Sequence, residues 1–259
     1  MNPSITILFY PEMPEPSSVA YKLCSHLGYR ISNNPTQPFD VAFKYFDATF
    51  FSADLMEILD DIKTEVINIK SLDISKQKIS EVFEAVFGYP ILINPLSEAG
   101  LAFKKSNINS LSDGEVIELP ITEENFDEYS IYQKFIDTQT EGQYVDIHMP
   151  IYDGLMPLAI IDSRPQKQPS PTNYSSIEIQ NVSSVFSEIE VEQLKLFAQK
   201  LSLDYGEFDI LRDRHDGKIY VVDVNNTPCE FPQGLTADQQ EFLLEKLSDT
   251  FVPLIAKRL

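Results

Sequence analysis

A β-hairpin predicted over residues 206–225 constrains the fold of this chain more than any other feature of its sequence. Two apolar segments with strand-like alternation flank a polar turn, and Gly217 stands where a three-residue hairpin loop needs a left-handed backbone. Such a loop pairs Arg214 with Lys218 as the first residues of the two strands. The register of the remaining pairs then follows, because the loop type fixes it.

This register predicts a group of oxygen-bearing side chains on one face of the hairpin. Asp209 lies directly opposite Asp223, with Cβ atoms about 5 Å apart, and Asn225 follows two positions along on the same face. Two carboxylates so close together destabilise a sheet unless a cation lies between them. An all-oxygen ligand set favours Mg²⁺, with nucleotide phosphates completing its coordination. The alternative is a register shifted by one residue, which turns one aspartate toward solvent.

The charge balance excludes several classes of partner. The 259 residues include 40 Asp and Glu against 20 Lys and Arg, which gives a formal net charge of −20. Nucleic acids and anionic membranes both require a concentrated basic surface, so neither is expected as a partner. No apolar run reaches the length of a transmembrane helix. Neither cysteine belongs to a disulfide or metal motif and no export signal is recognisable, so a cytoplasmic location with reduced thiols is expected.

Hydrophobic periodicity predicts an α/β chain with a small α/β unit in residues 1–70. The predicted elements outside the hairpin are strand 5–10, helix 16–27, strands 29–31 and 41–45, helix 73–87, strands 91–93, 101–103, 116–119, 131–136, 145–151 and 158–161, and two helices, one opened by a capping box at Ser187–Glu190 and one over 237–252. The polar, proline-rich stretch 163–176 is predicted to be a functional or disordered loop.

Several short motifs, taken in their order along the chain, resemble those of the ATP-grasp superfamily. This superfamily includes D-alanine–D-alanine ligases, glutathione synthetases and ribosomal-protein glutamate ligases. The Asp209 segment and the run 221–228 are similar to its two magnesium-binding strands. Residues 132–136 resemble the hinge that meets the adenine edge between two lobes, and residues 146–148 stand where the glutamate-ligase branch carries Asp-Ile-Arg. The likeness spans about residues 66–232.

The resemblance implies a fold class and a division into domains. It implies an α/β (α+β) ATP-grasp fold with a small N-terminal α/β, or pre-ATP-grasp, domain at residues 1–70. The small lobe, which covers the phosphates, then occupies residues 71–130 and contains the similar segment 89–106. The large lobe with its C-terminal helix occupies residues 131–259. Members of the superfamily are often dimers, so a homodimer is possible.

The resemblance also implies roles around ATP and Mg²⁺. Asp209, Asp223 and Asn225 hold the metal, while Lys105 and Arg164 act on the transferring phosphoryl group. The residues implied to surround the nucleotide are Lys104, Lys105, Gln133, Lys134, Phe135, Ile136, Asp146 and His148. The implied reaction is a ligation in which a small-molecule or peptide carboxylate attacks the γ-phosphoryl group of ATP. An amine or other nucleophile then attacks the acyl phosphate.

Four departures from the family pattern keep other functions open. Asn94 stands where many members carry a phosphate-binding lysine, His148 replaces an arginine, and Asp223 replaces a glutamate. With nine glycines in the chain, the glycine-rich phosphate loop is reduced to Asp113–Gly114. A catalytically inactive nucleotide-binding or scaffold protein is therefore an alternative. Phosphorylation of a hydroxyl group without ligation is another.

Four of the assigned side chains also have a plain structural alternative. Lys105 is equally compatible with a solvated strand end, and Arg164 with a surface position before Pro165. Gln133 alternates with Tyr132 and would then lie on an exposed strand face. A core or salt-bridged histidine is the alternative for His148.

Overall fold

The computed structural model describes residues 5–62, 64–109, 111, 113–165 and 176–259. The strands are β1 (Thr6–Pro11), β2 (Arg30–Ser32), β3 (Val41–Tyr45), β4 (Val66–Ile67), β5 (Gly100–Ser106), β6 (Glu115–Leu119), β7 (Ser130–Lys134), β8 (Gln139–Thr140), β9 (Gln143–Tyr152), β10 (Ala159–Pro165), β11 (Ser176–Gln180), β12 (Tyr205–Arg212) and β13 (Ile219–Asn225). The helices are α1 (Val19–Leu27), α2 (Ala53–Asp60), α3 (Lys76–Phe87), α4 (Val182–Val185), α5 (Glu188–Leu201) and α6 (Ala237–Ala256), with a 3₁₀ turn at Glu123–Asn125.

Three sheets organise the described chain. The N-terminal sheet has the strand order β2-β1-β3-β4 and is parallel throughout. The small sheet has the order β6-β5-β7 and is antiparallel. The large sheet has the antiparallel order β11-β10-β9-β12-β13, with β8 paired to β9. This mixture confirms the predicted α/β class, whereas the domain boundaries at residues 70 and 130 stay a prediction.

The predicted helices are present, and side-chain caps set where they begin. Ser18 accepts a hydrogen bond from the backbone N–H of Tyr21, so the helix predicted over 16–27 begins at Val19. Ser75 caps α3 in the same way, so this helix begins at Lys76, three residues later than predicted. The capping box predicted at Ser187–Glu190 is confirmed at the start of α5.

A few elements differ from the sequence prediction. Residues 91–93 form no strand, and Leu92 makes only an isolated bridge to Gln133. Helix α2 was not predicted. The ends of the stretch 163–176 lie in β10 and β11, and its remaining residues, 166–175, lie outside the described residues. No described helix combines the length and apolar character needed to cross a bilayer.

The hairpin turn differs from the prediction, yet the aspartate pair is where the sequence places it. The backbone N–H of Asp213 donates to the carbonyl oxygen of Lys218 at 3.0 Å, so the loop has four residues, although Gly217 does adopt the left-handed conformation at φ 70°. A β-bulge at Val222 then inserts one extra residue into β13, because Ile210 pairs with Val221 whereas Asp209 pairs with Asp223. The longer loop and the bulge each shift the register by one residue, in opposite directions. Asp209 therefore still lies opposite Asp223, as predicted.

The two faces of the large sheet bury different cores. One face packs α3 and α5 against apolar residues of β9, β12 and β13, such as Met149, Phe208 and Ile210. The other face is apolar only at one end, where Tyr152, Tyr205 and the apolar side of α6 pack against the N-terminal sheet. Its other end carries polar side chains, and those residues form the candidate site.

Asn68 fastens the N-terminal sheet to the large sheet. This fully buried residue follows β4 and has a positive φ of 61°, a conformation that asparagine tolerates better than most residues. Its Nδ2 donates to the carbonyl oxygen of Tyr205 at 2.7 Å, and its Oδ1 accepts from the backbone N–H groups of Asp204 and Tyr205 at 2.8 and 3.0 Å. These bonds fix the start of β12, the strand that carries Asp209.

We expect Asn68→Ala to lower the free energy of unfolding by about 3 kcal/mol. The substitution leaves buried backbone groups unpaired and puts a Cβ-bearing residue without a compensating side chain at positive φ. Urea denaturation followed by circular dichroism measures the change. Asn181→Ala is the control, because Asn181 is exposed and its side chain caps no backbone group of α4. An equal effect of the two substitutions would contradict the role of Asn68.

Candidate active site

Strands β12 and β13 present four oxygen-bearing side chains on the polar face. Asp209 lies across from Asp223, and Glu207 lies across from Asn225 one step along the same ladder. Directly opposed residues share a face of an antiparallel sheet, so all four lie on one side. The side-chain Oδ1 of Asn225 accepts a hydrogen bond from the N–H of Thr227 at 3.0 Å, which holds the amide at the end of the strand.

Strands β9 and β10 extend this face with two more carboxylates and a histidine. His148 lies across from Asp209 in the next strand, and Asp146 lies two residues before His148. Asp162 lies across from Asp146. The polar end of the sheet therefore carries five carboxylates, since Glu207, Asp209 and Asp223 lie on the same side.

His148 is held among three of these carboxylates. Its Nδ1 lies 2.8 Å from Oδ1 of Asp209 and 3.6 Å from Oε1 of Glu207, and its Nε2 lies 3.1 Å from Oδ2 of Asp162. Burial lowers the pKa of His148, but the three carboxylates outweigh burial and raise the pKa well above its ordinary value of 6.5. At neutral pH the imidazole is therefore a cation, as in the salt-bridged alternative considered from the sequence.

Two lysines reach Asp223 from outside the large sheet. Lys76, the first residue of α3, is 5% exposed, and its Nζ lies 3.4 Å from Oδ2 of Asp223 and 2.9 Å from the carbonyl oxygen of Ile108. Lys105, from β5, donates to the carbonyl oxygen of the bulged residue Val222 at 3.1 Å. Lys105 is thus not a solvated strand end, and burial lowers its pKa to about 8 although Asp223 opposes that change.

The remaining predicted phosphate-binding residues separate into two groups. Arg164 forms an ion pair with Asp146 on the polar face of the large sheet. Lys104 follows the alternation of β5 and lies on the opposite side from Lys105. Its Nζ lies 3.6 Å from Oδ2 of Asp127 and 4.0 Å from Oε1 of Glu115, so its charged contacts are within and beside the small sheet.

The hinge-like segment joins the small sheet to the large one. Gln133 is 2% exposed, so the exposed-face alternative is wrong, and its Nε2 has no hydrogen-bond partner among the described residues. The Nζ of Lys134 lies 2.8 Å from Oδ2 of Asp213 in the turn of the large-sheet hairpin. Phe135 is half-buried, and Ile136 packs into the core below the large sheet.

The donor set on this face suits a divalent cation. Ligand atoms of His148, Glu207 and Asp209 lie within 4.8 Å of one another. Burial raises the pKa of Glu207 to about 7, with Asp209 adding to the effect and His148 opposing it. A charged Glu207 is therefore destabilised until a further cation approaches it. Glu207 and Asp209, together with Asp223 and Asn225, offer the oxygen ligands that Mg²⁺ prefers, whereas His148 as a cation offers no ligand atom.

Three residues of this site are absent from the set predicted from sequence: Lys76, Asp162 and Glu207. Glu207 and Asp162 each stand two positions from a predicted residue, Asp209 and Arg164, so strand alternation alone would have placed them on the same face. Lys76 carries no such signal, because its proximity to Asp223 depends on how α3 packs against β13.

Comparisons with known proteins give structural matches alone. No family model matches the chain, and no curated protein sequence matches it. The ATP-grasp ligase PsnB, complexed with a minimal precursor, Mg and ADP, is similar over 97% of each chain with a TM-score of 0.60 and 13% identity. The chain has the ATP-grasp fold. Its three sheets and the polar end of its large sheet therefore belong to a known architecture.

Two other solved structures have the same fold over nearly their full length. The macrocyclase MdnC from Microcystis aeruginosa, bound with the precursor peptide MdnA, is 11% identical, with a TM-score of 0.54 over 95% of this chain and 98% of that chain. The D-alanine–D-alanine ligase from Bacillus anthracis, complexed with ATP, is 16% identical, with a TM-score of 0.56 over 97% and 96%. The fold resemblance predicted from sequence motifs is confirmed.

We expect Asp162→Asn to lower the pKa of His148 in the metal-free protein, because the substitution removes one of the three carboxylates that raise it. Nitrogen-15 NMR of the imidazole across a pH titration measures the change. In wild type, the contribution of His148 to stability is fully present below pH 6.5 and is lost as the pH rises through the raised folded-state value. An unchanged His148 titration in the variant would contradict this geometry.

Proposed function

We propose that this protein is an Mg²⁺- and ATP-dependent ligase that activates a carboxylate as an acyl phosphate. The observation that carries the proposal is the charge arrangement on the polar face. Asp209 and Asp223 oppose each other there, Lys76, Lys105 and His148 lie beside them, and Arg164 pairs with Asp146 on the same face. Phosphoryl transfer needs positioning and charge neutralisation more than covalent help from the protein.

The proposed metal ligands are oxygen-bearing side chains of β12 and β13. Asp209, Asp223 and Asn225 are proposed to hold Mg²⁺, and Glu207 supplies a further oxygen on the same face. Mg²⁺, when bound, neutralises phosphate charge. A divalent cation here also relieves the repulsion among carboxylates, which is the reason these residue types occur together.

The phosphates are proposed to lie among the four cations of the polar face. Lys76 and Lys105 stand at the β13 side of the carboxylates, Arg164 stands at the β10 side, and His148 lies between them on β9. Arg164 and Lys105 keep the catalytic role of neutralising the transferring phosphoryl group. Lys104 is given no phosphate contact in this proposal, because its charged partners belong to the small sheet and its flank.

The base end of the nucleotide is proposed to lie along residues 133–136. Backbone groups of Lys134, Phe135 and Ile136 meet the adenine edge, and the unpartnered buried Nε2 of Gln133 is a donor available to it. A buried donor without a partner costs free energy, so a ligand that accepts its hydrogen bond is favoured. Asp146, which is paired with Arg164, is proposed to accept a hydrogen bond from a ribose hydroxyl.

The acceptor of the phosphoryl group is proposed to be a peptide carboxylate. PsnB and MdnC are each solved with a precursor peptide, and their folds match this chain over nearly its full length. A peptide amine or hydroxyl then attacks the acyl phosphate, which releases inorganic phosphate and forms the new bond. A cytoplasmic location and a homodimer stay predictions.

One reason to consider a catalytically inactive protein, the absence of a lysine at Asn94, is weakened by the position of Lys76. The lysine missing at Asn94 has a substitute in Lys76, whose ammonium reaches the carboxylate of Asp223 from α3. The backbone N–H of Asn94 and its side chain instead bond to Glu98 and Leu96 in a local turn. The positive charge that phosphates require is thus supplied from another element.

Asp223→Ala is expected to weaken binding of Mg²⁺ with a non-hydrolysable ATP analogue by at least about a hundredfold, because it removes a metal ligand. Isothermal titration calorimetry measures the affinity, and circular dichroism checks that the fold is kept. Asp249→Ala is the matched control, since Asp249 lies on α6 and pairs only weakly with Lys246 at 3.8 Å. An unchanged affinity in the Asp223 variant would refute its role.

ATP turnover separates the ligase from its alternatives. Incubation with Mg²⁺-ATP and peptides carrying carboxylate, amine and hydroxyl side chains is expected to release ADP and to join two side chains with loss of water. Mass spectrometry of the peptide measures the product. A stable phosphopeptide would favour hydroxyl phosphorylation. If nucleotide binds but no peptide yields ADP, the protein is a nucleotide-binding scaffold.

A further inference from the structure

The tip of the large-sheet hairpin lies against the connection between the two lobes. Residues 135–138 connect β7 of the small sheet to β8 and β9 of the large sheet, and the turn between β12 and β13 contacts both ends of this connection. We give the name hinge clasp to four of the charged residues that make these contacts: Lys134, the last residue of β7, Asp137 in the connection, and Asp213 and Arg214 of the turn.

The first half of the hinge clasp joins the buried Asp213 to the partly exposed Lys134. Asp213 is 2% exposed, and its Oδ2 lies 2.8 Å from Nζ of Lys134 while its Oδ1 accepts from the N–H of His215 at 2.9 Å. Lys134 also donates to the hydroxyl of Tyr220 at 2.9 Å and lies 3.3 Å from Asp216. Burial lowers the pKa of Lys134, but Asp213 and Tyr220 outweigh burial and raise it. Lys134 is therefore charged throughout the physiological pH range.

The second half of the hinge clasp has the opposite polarity. The N–H of Arg214 donates to the carbonyl oxygen of Asp137 at 2.9 Å, and its Nη2 lies 2.8 Å from Oδ2 of the same residue. Its Nη1 donates to Oε1 of Gln139 at 2.9 Å. Lys134 and Asp137 thus offer a cation and then an anion, and the turn offers an anion and then a cation. This charge pattern favours the observed alignment of the two segments.

One hairpin therefore carries both the proposed metal ligands and the contacts to the proposed adenine edge. Asp209 and Asp223 lie in the middle of the hairpin at the proposed metal site, and Asp213 lies four residues beyond Asp209, about 13 Å along an extended strand. The bulge at Val222 and the four-residue turn fix the spacing between these two positions. A displacement of the turn moves residues 134–137 relative to the metal ligands.

We propose that the hinge clasp positions the edge of residues 134–136 that reads the adenine base, and so sets the affinity and base preference for the nucleotide. The inference rests on the proposed function, since it assumes that ATP binds in this cleft. Asp213 and Arg214 act as positioning residues, because their contacts are with the connection and the turn and not with the metal ligands.

The test compares binding of Mg²⁺ complexes of non-hydrolysable ATP and GTP analogues to the full-length protein and to Asp213→Asn. The wild type is expected to prefer the adenine analogue. The variant is expected to bind that analogue about tenfold more weakly, while its affinity for the guanine analogue, which depends on phosphates and metal alone, stays within about twofold. Asp249→Asn, an exposed residue with the same change of charge, is expected to leave both affinities unchanged.

A double-mutant cycle keeps the proposal falsifiable if Asp213→Asn also lowers stability. Lys134→Met combined with Asp213→Asn is expected to lose no more adenine affinity than the worse single variant, because both substitutions remove the same contact. Equal weakening of both nucleotides, additive losses, an unchanged adenine affinity or a wild type without base preference would each overturn the role of the clasp. A wild type that binds neither nucleotide would instead overturn the proposed function.

Discussion

Repulsion among carboxylates on one face of an antiparallel sheet is the constraint around which this molecule is organised. Five of them occupy neighbouring positions of β9, β10, β12 and β13. Asp162 is buried and the other four are partly exposed, so these carboxylates lose part of their hydration, and like charges directly across a ladder destabilise it. Cations from four different elements offset this cost. The packing of the small sheet and α3 against the large sheet is thus coupled to the electrostatics of the site.

This coupling explains how the site keeps positive charge where the sequence departs from the ATP-grasp pattern. Asn94 lacks a charge, but Lys76 brings one to the same carboxylates from the start of α3. His148 is shorter than the arginine it replaces, yet Asp162, Glu207 and Asp209 raise its pKa enough to keep it charged. Other side chains thus supply positive charge to the site, which supports the proposed ligase activity over the inactive alternative.

The sequence predicted the elements with strong local signals and missed contacts that depend on packing. Alternation in the hairpin led to the Asp209–Asp223 pair, although the loop is longer than predicted and a bulge at Val222 compensates. The capping box at Ser187 was readable because capping is local. The position of Lys76 beside Asp223 was not, since it depends on the docking of a helix far away in sequence. The separation of Lys104 from Lys105 follows from strand alternation, but only once the packed face of β5 is known.

The measurement that tests this account most directly is a crystal structure of the protein with Mg²⁺ and a non-hydrolysable ATP analogue. The account predicts metal density among Asp209, Asp223 and Asn225. It also predicts phosphates in contact with Lys76, Lys105 and Arg164, and the adenine edge along residues 133–136. A nucleotide bound elsewhere, or in this cleft with no metal contact to Asp209 and Asp223, would contradict it.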